Sequence, residues 1–407
     1  HGNLGGTLQE LGKLEDAEAS YTKAIALNPD FAETHTNLGS TLQELGRLAE
    51  AETSYKKALA LKPDLPEALS NLGVTLKDLG RLDEAEATCK QAITLEPEFA
   101  EAIHNLASIQ SYMNDLESEV LSLRHILEID SEDHVLRAQV NLAICKFLEG
   151  SLADSKRHLL AAAKIQEKTS SKFDNEKAYR QYLLDILSWH EEKFLTSSDR
   201  KTDKTLHVIG ESHSLASHLL HVHSSGTGIF CKASLIKGCM QWHLGNSQKN
   251  QYKNQFELIF SSLPNSSDVL LAIGEIDCRL NSGIIKHSNK FPKKDKEEII
   301  ITTIENYLAY VEKYNSANQH NIIIQGVPCP NIDKDLCSES EVSQLIDVIK
   351  SFNCRLKHKS SERGFGFLDV HKLTNRGDGF SNAIWHIDGI HLSPDAMLEA
   401  WRGYLSR

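Results

Sequence analysis

Three residues far apart in the chain have the types and spacing of a nucleophilic catalytic triad. Ser212 follows a short aliphatic run, and Asp388 and His391 lie three residues apart near the C-terminal end of the sequence. A serine hydroxyl is a poor nucleophile until a base accepts its proton, and an aspartate can hold that histidine base in the correct tautomer. The pattern therefore predicts attack by Ser212 on an ester carbonyl, with His391 as the base and Asp388 orienting it.

A second group of polar or small residues could bind the substrate or the oxyanion formed during this attack. Its members lie next to Ser212 or after the aliphatic runs that follow: His213, Gly238, Glu275, Asp277 and Arg279. We expect Arg279 to hold Asp277 ionised and to bind an anionic or hydroxylated substrate. Structural roles also remain open, because Ser212 could cap a helix and Asp388 could form a turn. Arg279 and Asp277 could equally form a structural ion pair.

Strands and helices must bring these residues together, and from residue 205 short aliphatic runs alternate with helical stretches. The strand candidates are Leu206–Ile209, Ile229–Ile236, Val269–Ile273, Ile322–Gln325 and Gly366–Val370. Aliphatic strands separated by helices predict a parallel sheet covered on both faces, which is an α/β three-layer, flavodoxin-like fold. One of the predicted helices lies near Ser214–His221. Functional residues of such folds lie at the carboxyl ends of the strands, where we expect the polar clusters to converge.

In chain order, these motifs resemble the SGNH/GDSL hydrolase superfamily over about 200 residues. The resemblance matches Ser212, in Gly-Glu-Ser, to the nucleophile, and matches Asp388 and His391 to the Asp-x-x-His before the last helix. It implies that Gly238 is the oxyanion-hole glycine. It also places Gly-Glu-Ile-Asp, residues 274–277, where the family has Gly-x-Asn-Asp.

Two residues depart from the family pattern. Glu211 replaces an aspartate whose side chain normally supports the turn at the nucleophile. Ile276 replaces the asparagine that would donate a hydrogen bond to the oxyanion, and losing one such donor typically costs about 100–1000-fold in rate. The polar residues available as substitutes are Arg279, Glu275 and His213.

The first part of the chain contains a repeat of 34 residues. Asn-Leu-Gly begins at positions 3, 37 and 71 and returns in weakened form at 105, while a second glycine recurs at Gly12, Gly46 and Gly80. Small residues let two helices approach closely, the glycine reverses the chain, and Pro29 ends the second helix. In period and residue types the repeats resemble the tetratricopeptide repeat (TPR) family. That resemblance implies an all-α solenoid that binds a protein or peptide partner.

We expect three segments in the chain. Residues 1–168 form the TPR solenoid, which is truncated at its N-terminus and degenerate in its last repeats. Residues 169–203 form a capping helix and a linker, because Tyr179 and Tyr182 lie at helical spacing before a polar, charged stretch. Residues 204–407 form the SGNH hydrolase-like domain. A spacer or an oligomerisation stalk remains the alternative role for the solenoid.

Charge and composition exclude several classes of protein. The net charge is −12, and residues 1–150 carry 26 acidic against 12 basic side chains, whereas the remainder is nearly neutral. A general nucleic-acid binder would need a basic stripe, and no apolar run reaches the roughly 18 residues of a membrane span. The eight cysteines lack compact spacing, which predicts reduced thiols and a cytoplasmic protein.

No metal or organic cofactor is required by the predicted chemistry. Four histidines lie close together after the Gly-Glu-Ser motif: His213, His218, His221 and His223. Their spacing is not that of metal ligands, and a solvated amphipathic helix explains them better.

The main expectation is a serine esterase or O-acyl hydrolase or transferase that acts on a small-molecule or glycan ester, with the TPR surface docking a partner. Hydrolysis and transfer to an acceptor use the same triad, so both remain open. The alternative, for which Ile276 is the best support, is a catalytically impaired binding module in a TPR scaffold protein.

Overall fold

The structure, a computed structural model, describes residues 1–129, 132–166, 174–194, 204–224, 227–332 and 337–406. The chain forms two compact units. The first comprises His1–Cys145, Leu160–Ser170 and Lys249–Gln255, and the second comprises Lys146–Leu159, Ser171–Gln248 and Phe256–Arg407. No helix in the described part of the chain is long and apolar enough to cross a membrane.

Helix pairs that repeat with the sequence period build the first unit. These are α1 (Gly2–Glu10) with α2 (Leu14–Leu27), α3 (Ala32–Glu44) with α4 (Leu48–Leu61), α5 (Pro66–Asp78) with α6 (Leu82–Leu95), and α7 (Ala100–Tyr112) with α8 (Leu116–Glu128). Helices α9 (Glu132–Leu148) and α10 (Leu152–Gln166) follow, and residues Lys146–Leu159 of this stretch belong to the second unit. Helices α3, α5 and α7 begin at Ala32, Pro66 and Ala100, one repeat apart, so the predicted helical repeat array is confirmed.

The same left-handed turn joins the two helices of a pair. At Gly46 φ is +75°, and the N–H of the next residue, Arg47, donates to the Leu42 carbonyl at 2.9 Å. This bond satisfies a carbonyl that the end of the helix would otherwise leave unpaired. In the fourth pair Asn114 takes the glycine position with φ +57°, which asparagine tolerates better than most residues.

A glycine in the first helix of each early pair makes room for a large side chain of the second. A Cβ on Gly39 would lie 2.7 Å from the ring of Tyr55, which is fully buried. Gly5 and Tyr21 repeat this arrangement one period earlier, again at 2.7 Å. The close helix approach expected from the sequence therefore depends on these glycines.

The segment Lys249–Gln255 also belongs to the first unit. Gln255 Nε2 donates to the Ser111 carbonyl at 2.9 Å, and the rings of Tyr112 and Tyr252 meet edge to face at 5.7 Å. A Cβ on Gly80 would lie 3.0 Å from the Asn250 backbone, so the glycine of that turn also permits this approach. No pattern in the sequence predicted this packing.

A six-stranded mixed sheet forms the centre of the second unit. Its strands are β1 (Lys204–Gly210), β2 (His221–Ser224), β3 (Thr227–Leu235), β4 (Asp268–Ala272), β5 (Asn321–Gln325) and β6 (Gly366–Leu368), in the order β2-β3-β1-β4-β5-β6. Strand β2 is antiparallel to β3, and every other neighbouring pair is parallel. All five predicted strands are present, but the predicted all-parallel sheet is mixed because β2 adds an antiparallel edge.

Both faces of the central strands are buried. On one face Val208, Leu270 and Ile323 pack in a cluster with Met397 and Trp401 of the last helix. The alternating residues of β4 and β5 point to the other face and are also at most 2% exposed. The helices of this unit are α11 (Asp174–Phe194), α12 (Gln241–Gly245), α13 (Gln251–Ser262, of which the first five residues belong to the first unit), α14 (Gly283–Lys290), α15 (Lys296–Asn318), α16 (Glu339–Glu362), α17 (Val370–Thr374) and α18 (Pro394–Leu405). Burial on both faces agrees with the near-continuous aliphatic strands of the sequence.

The histidine-rich segment after β1 differs from its prediction. Instead of a helix near 214–221, a 3₁₀ turn covers Ser212–Ser217, and the chain then enters β2 at His221. His213 and His218 are buried, so the solvated amphipathic helix expected for this segment is wrong. Each of the two makes hydrogen bonds through its ring in the interior.

Helix α11 groups with the sheet unit rather than with the repeats. Tyr182, Leu183 and Ile186 of this helix are fully buried. The two-unit division therefore differs from the expected boundaries at 168 and 203, which assigned this helix to a cap on the solenoid. The expected linker at 195–203, and residues 167–173, lie outside the described residues.

Candidate active site

The three residues of the predicted triad form one continuous hydrogen-bonded chain. Ser212 Oγ lies 2.9 Å from His391 Nε2, and His391 Nδ1 lies 2.7 Å from Asp388 Oδ2. Ser212 and His391 are only 4% and 7% exposed, so water competes little with these contacts. This geometry allows His391 to accept the serine proton while Asp388 stabilises the resulting imidazolium.

Local backbone structure places each triad member. Gly210 ends β1, and a Cβ at that position would collide with the Ala272 carbonyl of β4, so only glycine fits before the nucleophile. Asp388 Oδ1 accepts hydrogen bonds from the N–H groups of Ile390 and His391 at 2.7 and 2.6 Å. Asp388 therefore both forms a turn and positions His391. The two roles considered for it in the sequence analysis, turn residue and partner of the histidine, are compatible.

Electrostatics keep Asp388 ionised. Burial raises the pKa of its carboxyl, but the hydrogen bonds and charge of His391, with the two backbone N–H groups, outweigh burial and lower the pKa to about 2. An ionised Asp388 is what the histidine requires of its partner, because a carboxylate accepts from Nδ1 and favours the tautomer that leaves Nε2 facing the serine.

Glu211 joins the nucleophile to a buried ion pair. Glu211 Oε2 accepts a hydrogen bond from Ser212 Oγ at 2.7 Å, and its Oε1 lies 2.8 Å from His213 Nδ1. His213 Nε2 donates to the Ile390 carbonyl at 3.2 Å. Burial alone would lower the pKa of His213, but the Glu211 carboxylate raises it to about 9, and His213 in turn holds the pKa of Glu211 below its ordinary value.

Arg279 pairs with Glu275 and not with Asp277. Arg279 Nη2 lies 2.6 Å from Glu275 Oε2, and Arg279 Nε donates to both oxygens of the same carboxylate. The expectation that Arg279 holds Asp277 ionised is therefore wrong. Positions 275 and 279 lie four residues apart, the spacing at which side chains of a helical turn meet.

Asp277 is fully buried and holds the start of helix α12. Its two carboxylate oxygens accept hydrogen bonds from the Gln241 and Trp242 N–H groups at 2.7 and 3.2 Å. Burial raises the pKa of Asp277 to about 7, against the opposing effect of these two donors. These contacts assign Asp277 a structural role next to the site.

The expected oxyanion groups fall at the carboxyl ends of neighbouring strands. Gly238 lies in the turn after β3, exposed and with φ +69°. Ile276 begins a 3₁₀ turn after β4, and its carbonyl accepts from Ser282 Oγ at 2.7 Å. The side chain of His213 has no ring N–H left for an oxyanion, because both ring nitrogens are bonded as described above.

Sequence reasoning missed two tyrosines of α11 at this site. The Tyr182 ring stacks on the His391 imidazole, with centroids 4.0 Å apart and planes inclined by 16°, and its hydroxyl donates to the Ser212 carbonyl at 3.4 Å. One turn earlier on the same helix, burial and the negative charge of Glu211 raise the pKa of Tyr179 to about 12. Their helical spacing predicted that α11 has a buried face. It did not predict that this face packs against His391 and Ser212.

Three side chains could supply ligands to a metal ion. Donor atoms of Glu211, His213 and Glu275 all lie within 4.8 Å of one another. However, His213 faces a carboxylate and a carbonyl, both of which accept hydrogen bonds, so its contacts suit an imidazolium better than a metal ligand.

Comparison with known proteins identifies the repeats of the first unit. A family model described as "Tetratricopeptide repeat" matches residues 30–96, and one described as "TPR repeat" matches residues 5–46. The first unit contains a tetratricopeptide-repeat array. Repeats of this kind present extended surfaces for protein interaction.

Several solved structures resemble part of the chain. A crystal structure of MamA is 22% identical over 40% of this chain and 95% of its own, with a TM-score of 0.37. A structure of PilF from Pseudomonas aeruginosa is 21% identical over 48% of this chain and 84% of its own, with a TM-score of 0.41. The first TPR of Spaghetti (RPAP3), bound to an HSP90 peptide, is 28% identical over 28% and 89%, with a TM-score of 0.27. A search of curated proteins finds no significant match.

Proposed function

We propose that the second unit is a serine esterase or O-acyl transferase of the SGNH/GDSL type. The observation that carries this proposal is the chain of hydrogen bonds from Ser212 through His391 to Asp388. An isolated helix-capping serine would need neither a histidine at 2.9 Å nor a carboxylate behind that histidine.

The strand order supports the same proposal. Among the parallel strands the order is β3-β1-β4-β5-β6, which is the flavodoxin-like order 2-1-3-4-5. In that order the connections leave β1 in opposite directions, and ligands bind where they diverge. Ser212 follows β1, and Glu275 follows β4, so both lie beside this crevice.

The proposed reaction begins with transfer of the serine proton. Ser212 Oγ lies within hydrogen-bond distance of both Glu211 and His391, but it has only one proton to give. His213 keeps the pKa of Glu211 low, so this carboxylate is the weaker base and His391 accepts the proton. Ser212 Oγ then bonds to the ester carbonyl carbon, whose oxygen becomes the oxyanion.

Collapse of this intermediate breaks the bond to the alcohol. His391 returns its proton from Nε2 to the departing alkoxide oxygen, which leaves an acyl group on Ser212. Water, or the hydroxyl of a sugar acceptor, then attacks the acyl carbon while His391 accepts its proton. The bond from the acyl carbon to Ser212 Oγ breaks, and His391 returns that proton to Oγ. The backbone N–H groups of Ser212 and Gly238 are the proposed oxyanion donors.

The repeat array adds partner binding to this activity. The acidic surface of residues 1–150 disfavours acidic partners, so we propose a neutral or basic protein or peptide as the ligand of the TPR surface. In this arrangement the repeats bring the acyl-transfer domain to its substrate-bearing partner.

Hydrolysis of a short-chain chromogenic ester tests the proposed chemistry. Ser212→Ala should lower kcat/KM by about 1000-fold or more, because it removes the nucleophile. Ser214→Ala is the matched control, since this serine is fully buried in the same turn and its hydroxyl has no hydrogen-bond partner among the described residues. Equal rates for the wild type and Ser212→Ala would rule out a serine esterase.

Product analysis separates the two forms of the reaction. With a sugar acceptor present, a transferase yields the acylated sugar, whereas a hydrolase yields only the free acid. The alternative of an impaired binding module would have been favoured by a Ser212 out of reach of His391, and the 2.9 Å contact gives it no such support.

A further inference from the structure

The proposed reaction places a positive charge on a buried histidine. His391 is only 7% exposed, and it becomes an imidazolium when its Nε2 accepts the Ser212 proton. Asp388 faces this charge from the Nδ1 side, at 2.7 Å. A buried cation depends on such partners, because little water is present to solvate it. The groups around the imidazole ring therefore decide how readily His391 takes the proton.

A second cation lies close to His391. Its ring and that of His213 are 5.1 Å apart, centroid to centroid. Burial alone would lower the pKa of His213, but the Glu211 carboxylate raises it to about 9, so His213 is charged at neutral pH. Like charges at this separation repel each other, which opposes protonation of His391. Glu211 offsets this repulsion, but its two oxygens already bond His213 and the Ser212 hydroxyl.

Tyr182 of helix α11 covers one face of the His391 imidazole. The two ring centroids are 4.0 Å apart and the planes are inclined by 16°, so the phenol ring lies face to face with the imidazole. The hydrogen bonds at Nδ1 and Nε2 lie in the imidazole plane, which leaves the faces of that ring to contacts of this kind. Tyr182 is fully buried, and its hydroxyl donates to the Ser212 carbonyl at 3.4 Å, so the phenol ring is held beside the nucleophile.

A face-to-face stack favours the protonated form of the histidine. The face of an aromatic ring carries partial negative charge, so neutral aromatic rings prefer offset or edge-to-face arrangements to a close sandwich. A cation within about 6 Å of the ring centroid is instead attracted to this face, and the attraction is greatest where water is excluded. The stack at 4.0 Å therefore becomes stronger as His391 gains its proton.

We propose that Tyr182 is a positioning residue that holds the His391 imidazole and stabilises its protonated form through the face of the phenol ring. This inference rests on the proposed esterase or acyl-transfer function. The attraction is weak before the serine proton moves and strong in the transition state, which is the condition for raising kcat. Helix α11 (Asp174–Phe194), which precedes the segment expected to form the SGNH-like domain, is then one of the elements that build the site.

Stepwise fluorination of the ring tests the inference. Fluorine withdraws electron density from the ring face and changes the size of the ring little, so the attraction for a cation falls with each added atom. Full-length variants carrying phenylalanine, 4-fluoro-, 3,5-difluoro- and 3,4,5-trifluorophenylalanine at position 182 should lose kcat in that order, by about tenfold in total. KM should stay the same, because the fully buried ring does not reach the substrate. An equal kcat across the series would overturn the inference.

Two ordinary substitutions separate the ring from its hydroxyl. Tyr182→Phe keeps the stack and loses only the 3.4 Å hydrogen bond, so kcat should fall by at most about threefold. Tyr182→Leu removes the ring and should lower kcat about 10–30-fold with KM unchanged. The same kcat for both variants would contradict a role for the ring face.

A buried tyrosine elsewhere in the second unit controls for lost stability. Tyr307 of α15 is also fully buried, and its hydroxyl has no hydrogen-bond partner among the described residues. Tyr307→Leu should lower the melting temperature about as much as Tyr182→Leu does, yet retain most of the wild-type kcat. Equal losses of kcat in the two leucine variants would show that Tyr182 acts on stability alone and would contradict the inference.

Ester hydrolysis by the wild type distinguishes this inference from the proposed function. If the wild type hydrolyses the ester and the fluorinated series shows no trend in kcat, only the inference fails. If the wild type neither hydrolyses the ester nor reacts with a serine-directed phosphonate, the proposed function fails and the inference fails with it.

Discussion

At the scale of single residues, Glu211 differs most from its expected role. The longer side chain was expected only to support the turn, but its two oxygens contact the nucleophile and His213. A buried carboxylate persists only with a charged or hydrogen-bonded partner, and His213 supplies both. Residue types alone could not reveal this pairing, because the backbone must first bring both side chains inward.

Glu211→Gln should destabilise the protein by about 3–5 kcal/mol, since it leaves the buried His213 without its counter-charge. His213→Gln should be destabilising for the same reason, and the double variant should lose less than the sum of the two. Urea unfolding at pH 7 measures all three changes. Strict additivity would show that the two residues do not stabilise each other.

The raised pKa of His213 predicts how stability depends on pH. An unfolded histidine has a pKa near 6.5, whereas His213 in the folded protein has a pKa of about 9. Its contribution is therefore fully present below about pH 6.5 and is lost as the pH rises to about 9. The difference in unfolding free energy between the wild type and His213→Gln should shrink across this range, and a constant difference would contradict the assigned ion pair.

At the scale of helices and strands, the sequence pattern located the elements better than it predicted which other elements they pack against. The 34-residue period located the paired helices, and aliphatic runs located five strands, because both depend on local sequence. Strand β2 was missed since it has only four residues and pairs at an edge. Helix α11 was recognised, but its neighbours depend on contacts between segments distant in the sequence.

The same limit applies to the candidate site: residue types could be predicted from the sequence, but the contacts between side chains could not. The sequence pointed to Ser212, Asp388 and His391 as a group because chemistry restricts the residue types of a triad, and their catalytic role stays a prediction. The partner of Arg279 was not, since Glu275 and Asp277 are equally acidic and only the turn after β4 decides between them.

Gly39→Ala tests the close helix approach in the repeats. The added Cβ would lie 2.7 Å from the buried Tyr55 ring, so we expect a loss of about 1–3 kcal/mol. Gly6→Ala is the matched control, because its nearest neighbour, the Tyr21 hydroxyl, lies at 3.6 Å and a helical alanine is favoured by up to about 1 kcal/mol. Gly39→Ala should have a lower melting temperature than the wild type in thermal unfolding. Equal melting temperatures would refute the packing argument.

At the scale of the whole molecule, two features matter: the uneven distribution of charge and the burial of the cysteine thiols. The excess of acid belongs to the repeats, so it concerns the partner rather than the ester. All eight cysteines are free thiols. The cytoplasmic location stays a prediction.

A thiol-reactive dye should distinguish the native chain from the unfolded one. Only Cys354, which is exposed, and Cys337, which is partly exposed, should react quickly under native conditions. Burial raises the pKa of thiols such as Cys231, to about 12, which slows their reaction further. Denaturant should release all eight, and rapid native reaction of more than two would contradict the described burial.

The most direct test of the proposed function is covalent capture of the nucleophile. A fluorophosphonate reacts with a serine only when a neighbouring base activates it, and peptide mass spectrometry locates the adduct. We predict a single adduct on Ser212 that is abolished in Ser212→Ala and retained in Ser214→Ala. An unlabelled wild type, or an adduct that persists in Ser212→Ala, would contradict the assignment of this triad as a catalytic site.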